Sequence, residues 1–200
     1  MGMLGVVVAL AVVGQATGCA IDEDERDARV VAAVACIVSQ LCAANDDLLG
    51  NSNLGKSTMP LTDYIRRLWA GSEFTLSEVI ASMIYFDRIG QISKAIVPTT
   101  NAHRAFLTCL LMASKVYNDY SVKNSDLARL GGISAPEMND LERMYAKLIK
   151  FTLLVSAETY EDYRKLLAAH IEQEPQCTCQ SESSVNQYRR PDSLMLHGEH

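Results

Sequence analysis

Residues 102–117 read AHRAFLTCLLMASKVY, and their pattern decides the fold. When this stretch is wound as a helix, apolar side chains cover most of its circumference. Three small residues, Ala105, Cys109 and Ala113, recur at four-residue spacing and form a ridge that lets neighbouring helices approach closely. A helix that is apolar nearly all round is a buried one. The stretch therefore predicts a central helix with other helices packed around it, rather than a flat antiparallel bundle.

Length and composition favour one helical domain. The chain has 200 residues, of which 48% are hydrophobic and 21% are charged, and both values are near the average for globular domains. Its 11 Gly and 5 Pro residues are too few for a many-turned β protein. The net charge of −6 argues against a nucleic-acid partner, because binding to phosphates requires clustered Lys and Arg. We expect an all-α protein that does not bind nucleic acid.

Periodic apolar residues predict further helices on both sides of the central one. Pro60 and Thr75 are typical helix openers, and Ser134 with Glu137 has the spacing of a capping box. The predicted helices cover residues 27–45, 61–69, 76–92, 102–117, 124–130, 134–149 and, from 156 or 159, to about 170. Leu153, Leu154 and Val155 have no helical pattern, and we interpret them as a buried connection.

The two ends of the chain differ from its middle. Residues 1–21 are apolar and uncharged, which leaves a leader, an anchor or a plain extension as alternatives, although no Lys or Arg precedes the apolar run as in a secretory signal. Residues 22–59 hold the first helix and a loop, residues 60–155 the main helical unit, and residues 156–172 a last helix. Residues 173–200 are rich in Ser, Gln, Pro and Glu, and we expect them to be disordered.

The 6 cysteines and 4 histidines show no pattern of a metal or catalytic site. Cys36, Cys42 and Cys109 lie in apolar helical patterns, where a free Cys behaves as a small buried hydrophobe, so we expect a reduced compartment. No zinc spacing, Gly-rich phosphate loop or nucleophile motif occurs in the sequence. We therefore expect no catalytic residue, no metal and no cofactor.

Three charged residues fall in apolar surroundings. Lys115 lies near the end of the central helix, where its plain interpretation is a helix-end charge partnered by Asp119 at i+4. Glu142 borders an apolar stripe and has no cation three or four residues away, so it is either solvated or available to another partner. Asp87 lies on or beside an apolar stripe, where a carboxylate requires a cation.

A series of motifs in register resembles the P/U-type cyclins, the single-box class that includes the yeast phosphate-pathway cyclin. The similar stretches are, in chain order, 28–46, 61–68, 84–89, 101–119, 131–142, 151–153 and 160–163. Residues 84–89 read IYFDRI and are similar to the Tyr-Ile-Asp-Arg hallmark, with one aromatic replacement. The resemblance implies a cyclin-box fold, in which five helices surround a central buried helix, with flanking N- and C-terminal helices.

The resemblance also implies a function and its residues. A cyclin has no active site; it is a regulatory subunit that binds the C-helix of a cyclin-dependent protein kinase and activates the kinase, in cell-cycle control or phosphate signalling. The implied location is the cytoplasm, the nucleus or both. By resemblance, the kinase-binding residues are Lys115, Val116, Glu142 and Phe151. This interpretation reverses the plain one for Lys115.

The resemblance further implies a structural ion pair between Arg67 and Asp87, with Arg66 as the fallback partner. Residues 59–63 depart from the Met-Arg-Ala-Ile-Leu motif with which double-box cyclins dock substrates. The competing interpretation is a secreted or lipid-anchored helical binding protein. It rests on residues 1–21 and Cys19, and these residues also keep a membrane anchor open.

The composition of residues 173–200 gives a direct test. A chain truncated after Glu172 should melt at nearly the same temperature as the full chain, because the removed segment cannot bury enough apolar surface to offset the entropy of ordering it. Thermal melts followed by circular dichroism measure this. A fall of many degrees would show instead that the segment packs, for which Leu194 and Leu196 are the apolar candidates.

Overall fold

The computed structural model describes residues 23–48, 59–92 and 97–173. In these ranges the chain forms α-helices and no strand, which confirms the prediction of an all-α fold. The helices are α1 (Glu23–Leu48), α2 (Leu61–Ala70), α3 (Leu76–Ile92), α4 (Thr99–Tyr117), α5 (Asn124–Gly131), α6 (Ala135–Leu148) and α7 (Ala157–Gln173). Their bounds lie within a few residues of those predicted. The expectations for residues 1–21, for Cys19 and for the C-terminal segment after residue 173 lie outside the described residues.

The helix α4 is the centre of the fold. Every residue from 105 to 114 is buried. Five helices, α1, α2, α3, α5 and α6, pack against it, and α7 packs against α1 and α3 at the outside. The small side chains of Ala105, Cys109 and Ala113 are fully buried, as their ridge predicts.

The helix α1 is long and contains an apolar stretch. By length and composition alone, its stretch Glu23–Asp46 would be able to cross a membrane, and half of the most apolar window is buried inside the protein. Its residues 31–38 are all buried, and they face α2, α3, α4 and α7. Such burial is what a core helix of a globular domain shows.

Two predicted helix starts have the expected caps. Thr75 and Glu78 form a capping box before α3: the Thr75 backbone N–H donates to Glu78 Oε2 at 2.6 Å, and the Glu78 N–H donates to Thr75 Oγ1 at 3.4 Å. Before α6, the Glu137 N–H donates to Ser134 Oγ at 3.2 Å. The Glu137 carboxylate, however, pairs with Arg104 of α4 at 2.6 Å, so this capping box is only half formed.

The three cysteines within the described residues divide into two kinds. Cys42 and Cys109 are buried free thiols, and burial raises the pKa of Cys42 to about 12. Cys36 is disulfide-bonded, so the prediction of a free thiol there is wrong, and the expectation of a reduced compartment loses that support. The helical pattern could not distinguish the two states, because a thiol and a disulfide sulfur pack equally well in an apolar core.

The predicted ion pair between Arg67 and Asp87 is not formed among the described residues, and Arg66 does not replace Arg67 in it. Arg67 Nη2 donates to the Leu130 carbonyl of α5 at 2.9 Å. Asp87 Oδ2 instead accepts a hydrogen bond of 2.6 Å from the Tyr163 hydroxyl of α7. The reason is rotational: α2 turns Arg67 toward α5, whereas α3 turns Asp87 toward α7. Periodicity places a residue on a helix face but does not say which helix that face meets.

The hydrogen bond between Asp87 and Tyr163 should be detectable as an energetic coupling. Asp87→Ala and Tyr163→Phe should each lower the free energy of unfolding, with a coupling of about 1.5–3 kcal/mol, the range of hydrogen bonds to charged groups. Urea unfolding of the two single variants and the double variant measures it. As a control, Asp87→Ala combined with Arg67→Met should be additive within about 0.5 kcal/mol. A larger coupling of Asp87 with Arg67 than with Tyr163 would contradict this account and support the predicted ion pair.

Two glycines offer a matched test of packing. A Cβ at Gly131 would lie 2.3 Å from Leu107 Cδ2 and 3.0 Å from the Tyr64 hydroxyl, and Leu107 is fully buried and cannot yield cheaply. We expect Gly131→Ala to lower stability by about 1–3 kcal/mol through overpacking. Gly90 in α3 has open space around the same position, so Gly90→Ala should raise stability by roughly 0.5–1 kcal/mol. Equal effects of the two substitutions in chemical denaturation would contradict this account.

Candidate functional site

The structure brings Lys115 and Glu142 together. Lys115 Nζ, in the last turn of α4, lies 2.6 Å from Glu142 Oε1 on α6. The two side chains are 37% and 23% exposed, so the pair lies at the surface but is not fully hydrated. The plain interpretation of Lys115, a local pair with Asp119, is not observed among the described residues. Residues far apart in the sequence therefore form one charged surface feature.

Asn124 fixes the other oxygen of Glu142. Its Nδ2 donates to Glu142 Oε2 at 2.7 Å and to Asn139 Oδ1 at 2.7 Å. Asn124 is the first residue of α5, so α4, α5 and α6 meet at this carboxylate. The sequence predicts that a helix starts at Asn124, but it does not indicate which neighbouring helix the Asn124 side chain contacts. The sequence alone therefore does not identify Asn124 as a site residue. Both carboxylate oxygens of Glu142 therefore have a partner, and these two contacts fix the orientation of the carboxylate.

Phe151 follows α6 in an unusual backbone conformation. Lys150 and Phe151 have φ values of 53° and 55°, in the left-handed region that residues other than glycine rarely occupy. The Phe151 N–H donates to the Ala146 carbonyl at 2.8 Å and so closes the end of α6. The Phe151 residue is 67% exposed. Backbone strain of this kind is characteristic of functional sites, and here it turns an aromatic side chain outward.

A second apolar side chain lies beside Phe151 in the chain. Leu154 is 79% exposed, which corrects the interpretation of residues 153–155 as a buried connection; Leu153 and Val155 are half-buried. Val116, which resemblance also placed at the site, is half-buried in the last turn of α4. We call the set formed by Lys115, Glu142, Phe151 and Leu154 the outer face.

The outer face lacks the features of a catalytic or metal site. Within the described ranges, no group of three or more His, Cys, Asp or Glu side chains is arranged to hold a metal ion. Its charges are paired with each other, and its apolar side chains are exposed. A paired charge of fixed geometry and large exposed apolar side chains are both features of surfaces that bind another protein.

Comparison with known proteins gives a consistent family. The family model described as Cyclin matches residues 27–153. Cyclin-U2-1 of Arabidopsis thaliana is 30% identical over 117 residues, which are 58% of this chain and 51% of that relative. Cyclin-P1-1 of Oryza sativa subsp. japonica is 42% identical over 80 residues, 40% of this chain and 29% of the relative. Cyclin-U1-1 of Arabidopsis thaliana is 26% identical over 160 residues, 74% of each chain.

The extent of these matches decides what they show. The chain spans only about half of Cyclin-U2-1 and less of Cyclin-P1-1, so nothing about the activity of those whole proteins follows for this one. The matched region 27–153, however, is more than half of the chain, and it runs from α1 to the segment that carries Phe151. With a seven-helix fold in the described residues and relatives of both the U and P types, this chain belongs to the cyclin family, as a P/U-type single-box cyclin with an all-α cyclin-box fold.

Proposed function

We propose that this chain is the regulatory subunit of a cyclin-dependent protein kinase, which it binds at the kinase C-helix and activates. The observation that carries the proposal is the outer face itself: the Lys115–Glu142 pair at 2.6 Å together with the exposed ring of Phe151, all within the region that matches the family. The protein itself would catalyse nothing. Holding the C-helix inward places a kinase Glu against the Lys that orients the ATP phosphates.

The geometry of the ion pair fits a surface that becomes buried. Charges that lose water without a partner cost several kcal/mol each, as an order of magnitude, so an interface charge must be paired before or upon burial. Lys115 and Glu142 already neutralise each other, and Asn124 satisfies the second carboxylate oxygen. An ammonium group has three N–H donors, so Lys115 can also donate to backbone carbonyls of a partner. The carbonyls at the C-terminal end of a helix attract such a cation.

The apolar part of the outer face supplies a different contribution. Most of the binding energy of a protein interface comes from a few large side chains that enter pockets of the partner. Phe151 is such a side chain, and its backbone is fixed by the hydrogen bond to Ala146. We therefore assign orientation and partner choice to the ion pair, and affinity to Phe151 and its apolar neighbours.

We place the complex in the cytoplasm, the nucleus or both, where it would act in cell-cycle control or phosphate signalling. The alternative of a secreted or lipid-anchored binding protein rests on residues 1–21 and Cys19, which are outside the described residues. Membership of the cyclin family does not favour it. Affinity capture from native cells, followed by identification of the kinase in the eluate, names the partner and its process.

A charge swap tests the role of the pair while preserving the fold. Lys115→Glu combined with Glu142→Lys keeps an ion pair between the same two positions, and Glu and Lys have similar helix propensities. The swap should leave the melting temperature nearly unchanged but weaken binding of the captured kinase by about 30-fold or more, equivalent to about 2 kcal/mol or more for a mispaired interface charge. Binding is measured by surface plasmon resonance, and folding by circular dichroism.

The matched control is the ion pair formed within α6 itself. Arg143 and Asp140 are 70% and 71% exposed, so exchanging them should change neither folding nor binding. If the Lys115–Glu142 swap melts normally and binds the kinase like the wild type, these residues are ordinary surface charges. Equal losses from both swaps would show that binding responds to surface charge in general and not to this site.

A further inference from the structure

The backbone between α6 and α7 is held by side chains of other helices. We call residues 152–155 the connecting segment; they have no regular secondary structure. Arg88 of α3 spans the segment: its Nη1 donates to the Thr152 carbonyl at 2.7 Å and its Nη2 to the Leu154 carbonyl at 3.1 Å. A guanidinium group is the one side chain with two parallel donors of fixed spacing for such a contact.

Two tyrosines donate hydrogen bonds to the Leu153 carbonyl, which lies between the carbonyls of Thr152 and Leu154. The hydroxyl groups of Tyr85 and Tyr117 both donate to the Leu153 carbonyl, the latter at 3.3 Å. The Tyr117 hydroxyl also accepts a hydrogen bond of 2.9 Å from the Val155 N–H. Burial, and next the neighbouring Tyr117, raise the pKa of Tyr85, which keeps its hydroxyl protonated as a donor. The Arg88 guanidinium lies 5.8 Å from the centre of the Tyr85 ring, so the three donors form one cluster.

The consequence is a fixed backbone that presents exposed apolar side chains. Three successive carbonyls have side-chain donors from α3 and α4, yet Phe151 and Leu154 on either side of Leu153 remain 67% and 79% exposed. Holding an apolar surface in one conformation before binding lowers the entropy that binding must overcome.

We propose that Arg88, Tyr85 and Tyr117 are positioning residues for partner binding, and that they present Leu154 as a second apolar anchor beside Phe151. This inference rests on the proposed function, because the partner is the same kinase. Continuity supports that choice: on α6, Ala146 lies one turn from Glu142 on the same helix face, and its carbonyl accepts the hydrogen bond from the Phe151 N–H that closes the helix. The connecting segment therefore begins at the end of the helix that carries Glu142, and we take the segment and the charged pair as parts of one interface.

The first experiment separates positioning from mere structure. Arg88→Lys keeps the charge but loses the two-donor contact, and it should weaken kinase binding by about tenfold. Leu154→Ser should weaken it to a similar degree. In a background that already carries Phe151→Ser and Leu154→Ser, Arg88→Lys should add less than about a twofold loss, because the side chains it positions are gone.

The control is Arg164→Lys on α7, whose arginine makes only an exposed contact with Glu161 and should leave binding unchanged. Tyr117→Phe gives an independent variant: it removes both hydroxyl contacts from a side chain that is 40% exposed, so the fold should tolerate it while binding weakens. If Arg88→Lys weakens binding equally in both backgrounds, its effect is not transmitted through Phe151 and Leu154. Wild-type affinity for Leu154→Ser would likewise overturn the inference.

A second measurement does not depend on the kinase. In the free full-length protein, Arg88→Lys should speed hydrogen exchange at the Val155 amide by about tenfold, since the connecting segment would open more often. Unchanged exchange would show that Arg88 does not hold the segment, and would refute the inference even if the kinase binds normally. If the wild-type chain captures no kinase, the proposed function and the partner named here are wrong. The hydrogen-exchange result does not depend on that outcome, because it is measured on the free protein.

Discussion

The burial of α4 is the constraint on which the other features depend. Because residues 105–114 are all covered, the helix can place charged side chains only at its two ends. Arg104 pairs with Glu137 at one end and Lys115 with Glu142 at the other, so both ends are tied to α6. Burial of residues 105–114 thus confines the charged side chains of α4 to positions outside that stretch, where Arg104 and Lys115 each pair with a glutamate of α6.

The sequence predicts this arrangement only in part. The period of the apolar residues predicts the helices and the central position of α4, because this period shows which faces of each helix are buried. The absence of a cation three or four residues from Glu142 on α6 left this carboxylate either solvated or available to a partner outside its helix, and the structure pairs it with Lys115 of α4. Asn124 and the true partners of Arg67 and Asp87 depend on how helices rotate against one another, which periodicity does not encode.

The connecting segment shows a second limit of sequence reasoning. Neither Lys150 nor Phe151 is a glycine, so nothing in the sequence indicates two successive left-handed residues. Two adjacent leucines in an apolar stretch likewise predict burial, yet Leu154 is exposed. A local contact accompanies the first departure, because the Phe151 N–H donates to the Ala146 carbonyl at the end of α6. Long-range contacts accompany the second, because Arg88 of α3 donates to the carbonyls of Thr152 and Leu154. Local preference yields where tertiary hydrogen bonds fix the backbone.

These departures from local preference directly follow α6, the helix that carries Glu142 of the charged pair. Three polar side chains hold the connecting segment in place, and Phe151 and Leu154 stay exposed in that arrangement. Covering an exposed apolar side chain contributes transfer free energy of about 1.5–3 kcal/mol when the side chain becomes fully buried. A paired charge that tolerates desolvation and apolar groups that gain from it are complementary, which supports the proposal that one partner covers both.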